Sequence, residues 1–156
     1  MSERAAGILM PISSLPSEYG IGCFSKSAYE FVDWLKGAGQ NYWQILPLGP
    51  TSYGDSPYQS PSGFAGNPYF IDLDILCTKK LLKKSECKSY QWNEKDDTVD
   101  YALLYKNRYD LLRKAKVRFF ENVPQEYGQF CEKEADWLDD FALFMACLLY
   151  TSDAAD

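Results

Sequence analysis

Two apolar runs frame an amphipathic stretch near the start of the chain. Residues 5–12 and 42–48 are apolar and each run stops at turn-forming residues, which predicts two short buried strands. Between them, apolar residues recur every three or four positions and predict a helix over residues 25–39. Ser27 and Glu30 have the spacing of a capping box within that helix. The order strand, helix, strand predicts a βαβ unit with parallel strands.

Both predicted strands are apolar throughout, so we expect them to be buried on both faces, as parallel strands usually are. A loop follows each of them, over residues 13–24 after the first strand and 49–70 after the second. The carboxyl ends of parallel strands lie at one edge of a sheet, where the active sites of α/β proteins are built. The two loops are therefore the candidate site.

The rest of the chain is more charged and mainly predicts helices. Residues 71–76 fit a short strand or an extended segment. The apolar positions of residues 99–122 predict one long helix, and those from 127 to 145 predict another. Residues 147–156 form a small, polar end without a capping residue.

The charge of the chain narrows the range of partners. The chain has 156 residues and a net charge of −6. An acidic protein repels a phosphate backbone and offers no basic patch to anionic lipid, so we expect neither nucleic acid nor a membrane as a partner. The longest apolar run, over residues 141–150, is too short to cross a bilayer. A neutral ligand fits this charge best.

The residues that most often carry nucleophilic catalysis and metal binding are absent or scattered. The sequence has no histidine, which removes Ser-His and Cys-His nucleophiles and histidine metal sites. The five cysteines are irregularly spaced without a C-x-x-C pair, so we expect neither a disulfide framework nor a metal site. Reduced thiols and a first segment without a signal-peptide pattern indicate a cytoplasmic protein.

Residues 51–70 combine aromatic rings with hydroxyl, amide and carboxylate groups. The stretch is rich in Gly, Pro, Ser and Tyr and has no regular period, which predicts a long ordered loop. Flat rings can cover the apolar faces of a sugar while polar groups bond its hydroxyls. A carbohydrate site is one interpretation, and a rigid structural loop is the other. The candidate side chains are Tyr53, Asp55, Ser56, Tyr58, Gln59 and Asn67.

Six segments resemble the N-terminal part of the 4-α-glucanotransferases, which are also called amylomaltases or disproportionating enzymes and form family 77 of the glycoside hydrolases. The most specific are WQILPLGPT at residues 43–51 and YGDSPYQS at residues 53–60. The others are GILMPISSLP (7–16), FAGNPY (64–69), VDYALLY (99–105) and WLDDFALFMA (137–146). The resemblance covers residues 4–146.

The resemblance implies an α/β fold, the N-terminal fragment of a (β/α)₈ TIM barrel. This chain would supply the first two strands, followed by a mainly helical insertion. Residues 1–76 would form the first βαβ portion with the active-site loops, residues 77–146 the insertion, and residues 147–156 a tail unlike the family. The family uses no organic cofactor, so none is expected here.

The resemblance also implies an activity, the transfer of α-1,4-glucan segments between maltooligosaccharides by a retaining mechanism. The family's catalytic carboxylates lie in later barrel strands. We therefore expect no catalytic residue in this chain, and we do not assign Asp55, Asp72 or Asp74 as a nucleophile.

Substrate-binding residues carry over from the resemblance one by one. Tyr58 and Ser56 match residues that line the donor sugar site beside the scissile bond, and the alternative is a rigid loop under a lid. Tyr53 and Tyr105 match an aromatic pair that holds glucan at a second site outside the cleft, and the alternative is ordinary packing. Asp55 is expected to fix the shape of the loop through hydrogen bonds to backbone N–H groups.

Three functions of different class stay open on the sequence. The first is the N-terminal piece of a 4-α-glucanotransferase that is inactive alone, and the two most specific segments favour it. The second is a non-catalytic maltooligosaccharide-binding fragment. The third is a defective fragment with neither activity nor a stable fold, whose open strand edges would favour aggregation.

Overall fold

The structure is a computed structural model, and it describes residues 4–52, 54–95 and 97–153. Within them the chain forms two strands, β1 (Gly7–Leu9) and β2 (Tyr42–Gln44). The α-helices are α1 (Lys26–Gly37), α2 (Leu73–Thr78), α3 (Lys84–Lys88), α4 (Tyr101–Glu121), α5 (Gln125–Lys133) and α6 (Leu138–Asp153). Single-turn 3₁₀ helices lie at Ile12–Ser14 and Pro68–Phe70. No described helix combines the length and the hydropathy that a membrane span requires.

β1 and β2 pair in parallel, which confirms the strand pairing predicted for the βαβ unit. Ile8 lies opposite Trp43 at the centre of the register. The contact continues past β1, because Met10 N donates to Gln44 O at 3.0 Å and the Trp43 indole donates to Met10 O at 2.8 Å. The second strand is thus fixed beside the first by backbone and side-chain bonds together.

Both strands are shorter and more exposed than the sequence predicts. Each has three residues, and Leu9 and Tyr42 are 57% and 66% exposed. The expectation of burial on both faces is therefore wrong for the described chain. The reason is that a two-stranded sheet leaves each strand with an unpaired edge, and α1 packs on one face only. On that face the Trp43 ring meets Phe31 of α1 edge-on, with centroids 4.9 Å apart.

α1 confirms the predicted helix and buries Ala28 and Leu35, two of its periodic apolar residues. The capping box is wrong. Because α1 begins at Lys26, Ser27 lies inside the first turn instead of at the N-cap position. The Glu30 carboxylate pairs with the Lys26 ammonium at 2.9 Å instead.

α2 replaces the strand or extended segment expected at residues 71–76. The Asp72 carboxylate accepts a hydrogen bond from Asp74 N at 2.8 Å and caps the helix, and Leu73 is fully buried. A helix of six residues is too short to show a hydrophobic period, so the cap and the tertiary burial decide its structure.

α4 is the helix around which the second half of the chain packs, and it confirms the long helix predicted there. It begins where the Asp100 carboxylate accepts from Leu103 N at 2.9 Å. Leu104 and Leu111 are fully buried in a cluster that includes residues of α2, α3 and the loop after β1. The last predicted helix is instead two helices, α5 and α6, because the chain turns at residues 134–137.

A bidentate ion pair joins α3 to α4. The Arg118 guanidinium of α4 donates from both terminal nitrogens to the Glu86 carboxylate of α3, at 2.6 and 2.8 Å. Glu86 also accepts from Lys83 N at 2.7 Å. These bonds, with the Arg118 contribution the largest, lower the pKa of Glu86 to about 2.

Acid should weaken the fold through Glu86. Its pKa lies at about 2 in the folded protein and at 4.5 ordinarily, so its carboxylate contributes stability above pH 4.5 and loses it as the pH falls towards 2. In Glu86→Gln, the free energy of unfolding should therefore fall less steeply over this range, as measured by urea titration at successive pH values. Glu30→Gln, which loses only an exposed pair, is the control and should keep the wild-type slope. A wild-type slope in Glu86→Gln would contradict this role.

Candidate functional site

The loops that follow β1 and β2 meet at one edge of the sheet. Ser13 and Ile21 from the first loop, and Asp55 and Asn67 from the second, line a cavity of about 40 Å³ that Tyr101 of α4 also lines. That volume holds a few water molecules and no sugar ring. Clefts large enough for a sugar lie outside this cavity, one along the second loop and one of about 630 Å³ along the first loop.

An open cleft of about 490 Å³ lies along the second loop. Its lining includes Gly49, Tyr58, Ser60, Ser62 and Phe64. The volume falls in the range of small-molecule sites, and the lining mixes aromatic rings with hydroxyl groups. This combination can cover the apolar face of a sugar and bond its hydroxyls.

Residues 49–66, which we name the β2 loop, are closed at their base by Asn67. Asn67 N donates to Leu48 O at 2.8 Å, and the Asn67 side-chain oxygen accepts from Tyr69 N at 2.9 Å. That second bond starts the 3₁₀ helix Pro68–Phe70, and Asn67 is 7% exposed. The sequence indicated Asn67 as a polar candidate for ligand contact. In the structure its backbone N–H closes the loop, and its side chain caps the 3₁₀ helix that follows.

Gly54 and Asp55 form the turn at the tip of the β2 loop. Both have left-handed backbones, with φ of 91° and 53°, and Asp55 N donates to Ser52 O at 3.0 Å. The Asp55 carboxylate accepts from the Thr51 hydroxyl at 3.5 Å, and no backbone N–H group among the described residues donates to it, contrary to our expectation. Asp55 therefore lies in the turn as expected, but its side chain bonds the Thr51 hydroxyl. Burial raises the pKa of Asp55.

Ser56 and Tyr58 follow this turn directly. Ser56 Oγ accepts from Tyr58 N at 3.4 Å, and Gln59 N donates to Ser56 O at 3.1 Å. Tyr58 is 73% exposed and lines the open cleft. The turn therefore holds a hydroxyl group and an exposed ring close together in the chain, the combination that sugar binding uses.

Tyr105, expected at a second glucan site, lies on α4 at some distance along the chain from the β2 loop. It is 46% exposed, and its ring centroid lies 5.0 Å from that of Tyr109. Tyr53, its expected partner, lies outside the described residues. The pairing of Tyr53 with Tyr105 thus stays a prediction.

The acidic residues beside the loops have structural partners. Asp72 caps α2, and the Asp74 carboxylate accepts from the Tyr19 hydroxyl at 2.6 Å and from the Lys84 ammonium at 2.7 Å. Burial is the main cause that raises the pKa of Tyr19. This network ties the loop after β1 to α2 and α3.

Sequence reasoning missed two features, a ring stack on the β2 loop and a buried charge on α4. Phe64, which is 76% exposed, stacks on Trp137 with ring centroids 5.8 Å apart and planes 20° apart. Nothing in the sequence links these two rings, since they lie far apart in the chain. Arg108 is fully buried in α4, and here a signal existed: it lies one turn after Leu104 and one turn before Leu111, on the buried face.

Comparison with known proteins points to one family. A family model described as 4-alpha-glucanotransferase matches residues 10–155. The 4-alpha-glucanotransferase of Clostridium butyricum is 55% identical over 137 residues, which are 88% of this chain and 28% of that protein. The 4-alpha-glucanotransferase of Thermus thermophilus is 47% identical over 147 residues, which are 92% of this chain and 28% of that protein.

A solved structure agrees with these relatives. The amylomaltase from Streptococcus agalactiae, solved in complex with acarbose, is 42% identical and has a TM-score of 0.89, covering 95% of this chain and 30% of that chain. This chain therefore spans less than a third of the length of the proteins it matches.

The close approach at Gly49 should exclude any side chain. A Cβ there would lie 2.9 Å from Ser60 Cβ and 3.2 Å from the Ser62 carbonyl oxygen. Gly49→Ala should displace this turn of the β2 loop and lower the free energy of unfolding by about 1–3 kcal/mol in chemical denaturation. Gly63→Ala, which has open space at its Cβ, is the matched control and should change that free energy by less than about 1 kcal/mol. Equal losses in the two variants would argue against a specific contact at Gly49.

Proposed function

This chain belongs to the 4-alpha-glucanotransferase family, and we propose that it is the N-terminal part of an enzyme that transfers α-1,4-glucan segments between maltooligosaccharides. The chain spans less than a third of its relatives, so the activity belongs to the longer protein. The observation that carries the proposal is the exposed Tyr58 ring, which lines the open cleft along the β2 loop.

The proposed fold of the longer protein is a (β/α)₈ TIM barrel, of which this chain forms the first two strands. The parallel pairing of β1 with β2 supports it. The exposed Leu9 and Tyr42 support it too, because neighbouring strands would cover them in a closed barrel. The proposed division is into a βαβ portion, residues 1–76, and a helical insertion, residues 77–146. One hydrophobic cluster lies wholly within the first portion, whereas the other joins Tyr19 and Leu73 of that portion to the helical part. The boundary falls within α2, whose Leu73 packs with the helical part.

In this proposal the β2 loop binds the donor sugar. The Tyr58 ring covers an apolar face of the sugar, and the Ser56 hydroxyl bonds one of its hydroxyl groups. Asp55 keeps the turn in shape through Thr51. Tyr105, together with Tyr53, holds glucan at a second site outside the cleft, and its partial exposure supports this role.

Retaining transfer requires two carboxylates about 5 Å apart, one as nucleophile and one as general acid and base. The resemblance assigns both to later barrel strands. In this chain Asp72 caps α2 and Asp74 bonds Tyr19 and Lys84, which supports a structural role for both. The proposed task of this part is thus to bind and orient the donor, while a sugar 4-hydroxyl takes the place that water has in hydrolysis.

A second candidate is a non-catalytic maltooligosaccharide-binding fragment. Tyr58 and Ser56 favour it, because both are present while the family's catalytic acids are expected elsewhere. We further propose a cytoplasmic location without a metal or organic cofactor.

The 156-residue chain should release no glucose from maltotriose, because the resemblance places both catalytic carboxylates outside it. A coupled glucose assay checks this, with the Clostridium butyricum 4-alpha-glucanotransferase as positive control. Robust glucose release by the chain would overturn the assignment of the catalytic residues. A melting temperature that rises with added maltooligosaccharide, in the absence of turnover, would favour the binding fragment as the function of the isolated chain.

In the complete enzyme, Tyr58→Ala should raise the KM for maltotriose about tenfold, since the donor sugar loses a well-placed ring. Tyr29→Ala is the matched control, because Tyr29 is 71% exposed on α1 and is not among the residues that line the cleft. It should leave the KM unchanged. Similar KM values in the two variants would remove Tyr58 from the donor site.

A further inference from the structure

Arg108 is a charged side chain in the interior of the protein. It is 0% exposed and lies between Leu104 and Leu111 on the inner face of α4. No described carboxylate lies within ion-pair distance of its guanidinium, and Nε and Nη1 have no hydrogen-bond partner among the described residues. Burial lowers the pKa of Arg108 from its ordinary value. A buried and poorly paired charge is costly, so it calls for a reason beyond packing.

The two carbonyl oxygens that accept from Arg108 belong to one segment of backbone, and its guanidinium also interacts with the buried Cys23 thiol. Its Nη2 donates to the Tyr69 carbonyl oxygen at 2.6 Å and to the Ile71 carbonyl oxygen. These two carbonyls bracket the end of the 3₁₀ helix Pro68–Phe70. One nitrogen thus joins α4 to the segment that leaves the β2 loop.

The same segment is clamped by aromatic contacts from α4. The Tyr69 ring lies 6.4 Å from that of Tyr101 and 6.1 Å from that of Tyr109. Tyr69 N in turn donates to the side chain of Asn67, which closes the base of the β2 loop. A continuous path of contacts therefore leads from Arg108 through Tyr69 and Asn67 to the loop.

We propose that Arg108 is a positioning residue for the β2 loop, acting through the Tyr69 and Ile71 carbonyls to hold Ser56 and Tyr58 in the orientation that binds the donor sugar. That the loop binds a donor sugar rests on the proposed function. That Arg108 is connected to the base of the loop rests on the contacts in the structure. Arg118 lies on the same helix and also donates to a carbonyl oxygen, that of Leu81. It bonds α3 and the segment before it, and does not reach the β2 loop.

The test compares Arg108→Met with Arg118→Met in the complete enzyme and in the 156-residue chain. In the complete enzyme, Arg108→Met should raise the KM for maltotriose at least tenfold while kcat changes less than threefold. Arg118→Met should lower the melting temperature by a similar amount and leave KM unchanged. Arg108→Lys keeps a cationic donor for the two carbonyls and should return KM to within threefold of wild type. Arg108→Leu, which also lacks a donor, replaces Arg108→Met if the latter is insoluble.

Hydrogen exchange gives a readout that does not require activity. Amides of the described β2-loop residues from Asp55 onward should exchange at least tenfold faster in Arg108→Met and at the wild-type rate in Arg118→Met. An unchanged KM together with unchanged loop exchange in Arg108→Met would overturn the proposal. If the wild-type complete enzyme makes no glucose from maltotriose, the proposed function fails, and the exchange comparison still decides whether Arg108 positions the loop.

Discussion

One backbone hydrogen bond, from Asn67 N to Leu48 O at 2.8 Å, closes the loop on which the candidate site depends. The β2 loop has no regular ladder within it, so its shape comes from local turns and from the fixed distance between its ends. Leu48 is fixed by its position just after β2, and Asn67 by the bond to Tyr69 N. Between these ends the left-handed turn at Gly54 and Asp55 leads directly into Ser56 and Tyr58, and the Tyr58 ring lines the open cleft.

The helical part of the chain contacts the segment that follows this loop. α4 holds Tyr69 between two tyrosine rings and bonds its carbonyl oxygen through Arg108. The loop after β1 is fixed separately, because Tyr19 bonds Asp74 of α2 and that carboxylate also bonds Lys84 of α3. The two loops that meet at the edge of the sheet are therefore both anchored to the helices. A site built from loops can be rigid when such a scaffold holds it.

Sequence patterns predicted the long helices, in which apolar residues recur at a regular spacing. α1 and α4 carry clear apolar periods, and the parallel pairing of β1 with β2 followed from the helix between two apolar runs. α2 escaped prediction because its six residues show no period and its start depends on the Asp72 cap. The break between α5 and α6 escaped because apolar spacing continues across it. The exposure of Leu9 and Tyr42 escaped because apolar composition indicates what a strand can bury, and burial itself needs neighbouring strands.

The candidate site also has features that the sequence could predict and features that it could not. The loop and its aromatic and hydroxyl residues could be predicted from composition, and a resemblance to the family added the proposed roles of Tyr58 and Ser56. The roles of Asn67, Arg108 and the Phe64–Trp137 stack depend on contacts between distant parts of the chain, which no local pattern encodes. The most direct test of the donor-binding assignment is a crystal structure of the complete enzyme with maltotriose bound. We predict a sugar ring against Tyr58 and within hydrogen-bond distance of Ser56, with the Asn67–Leu48 bond intact. A bound sugar that touches neither residue, or a β2 loop opened at that bond, would contradict it.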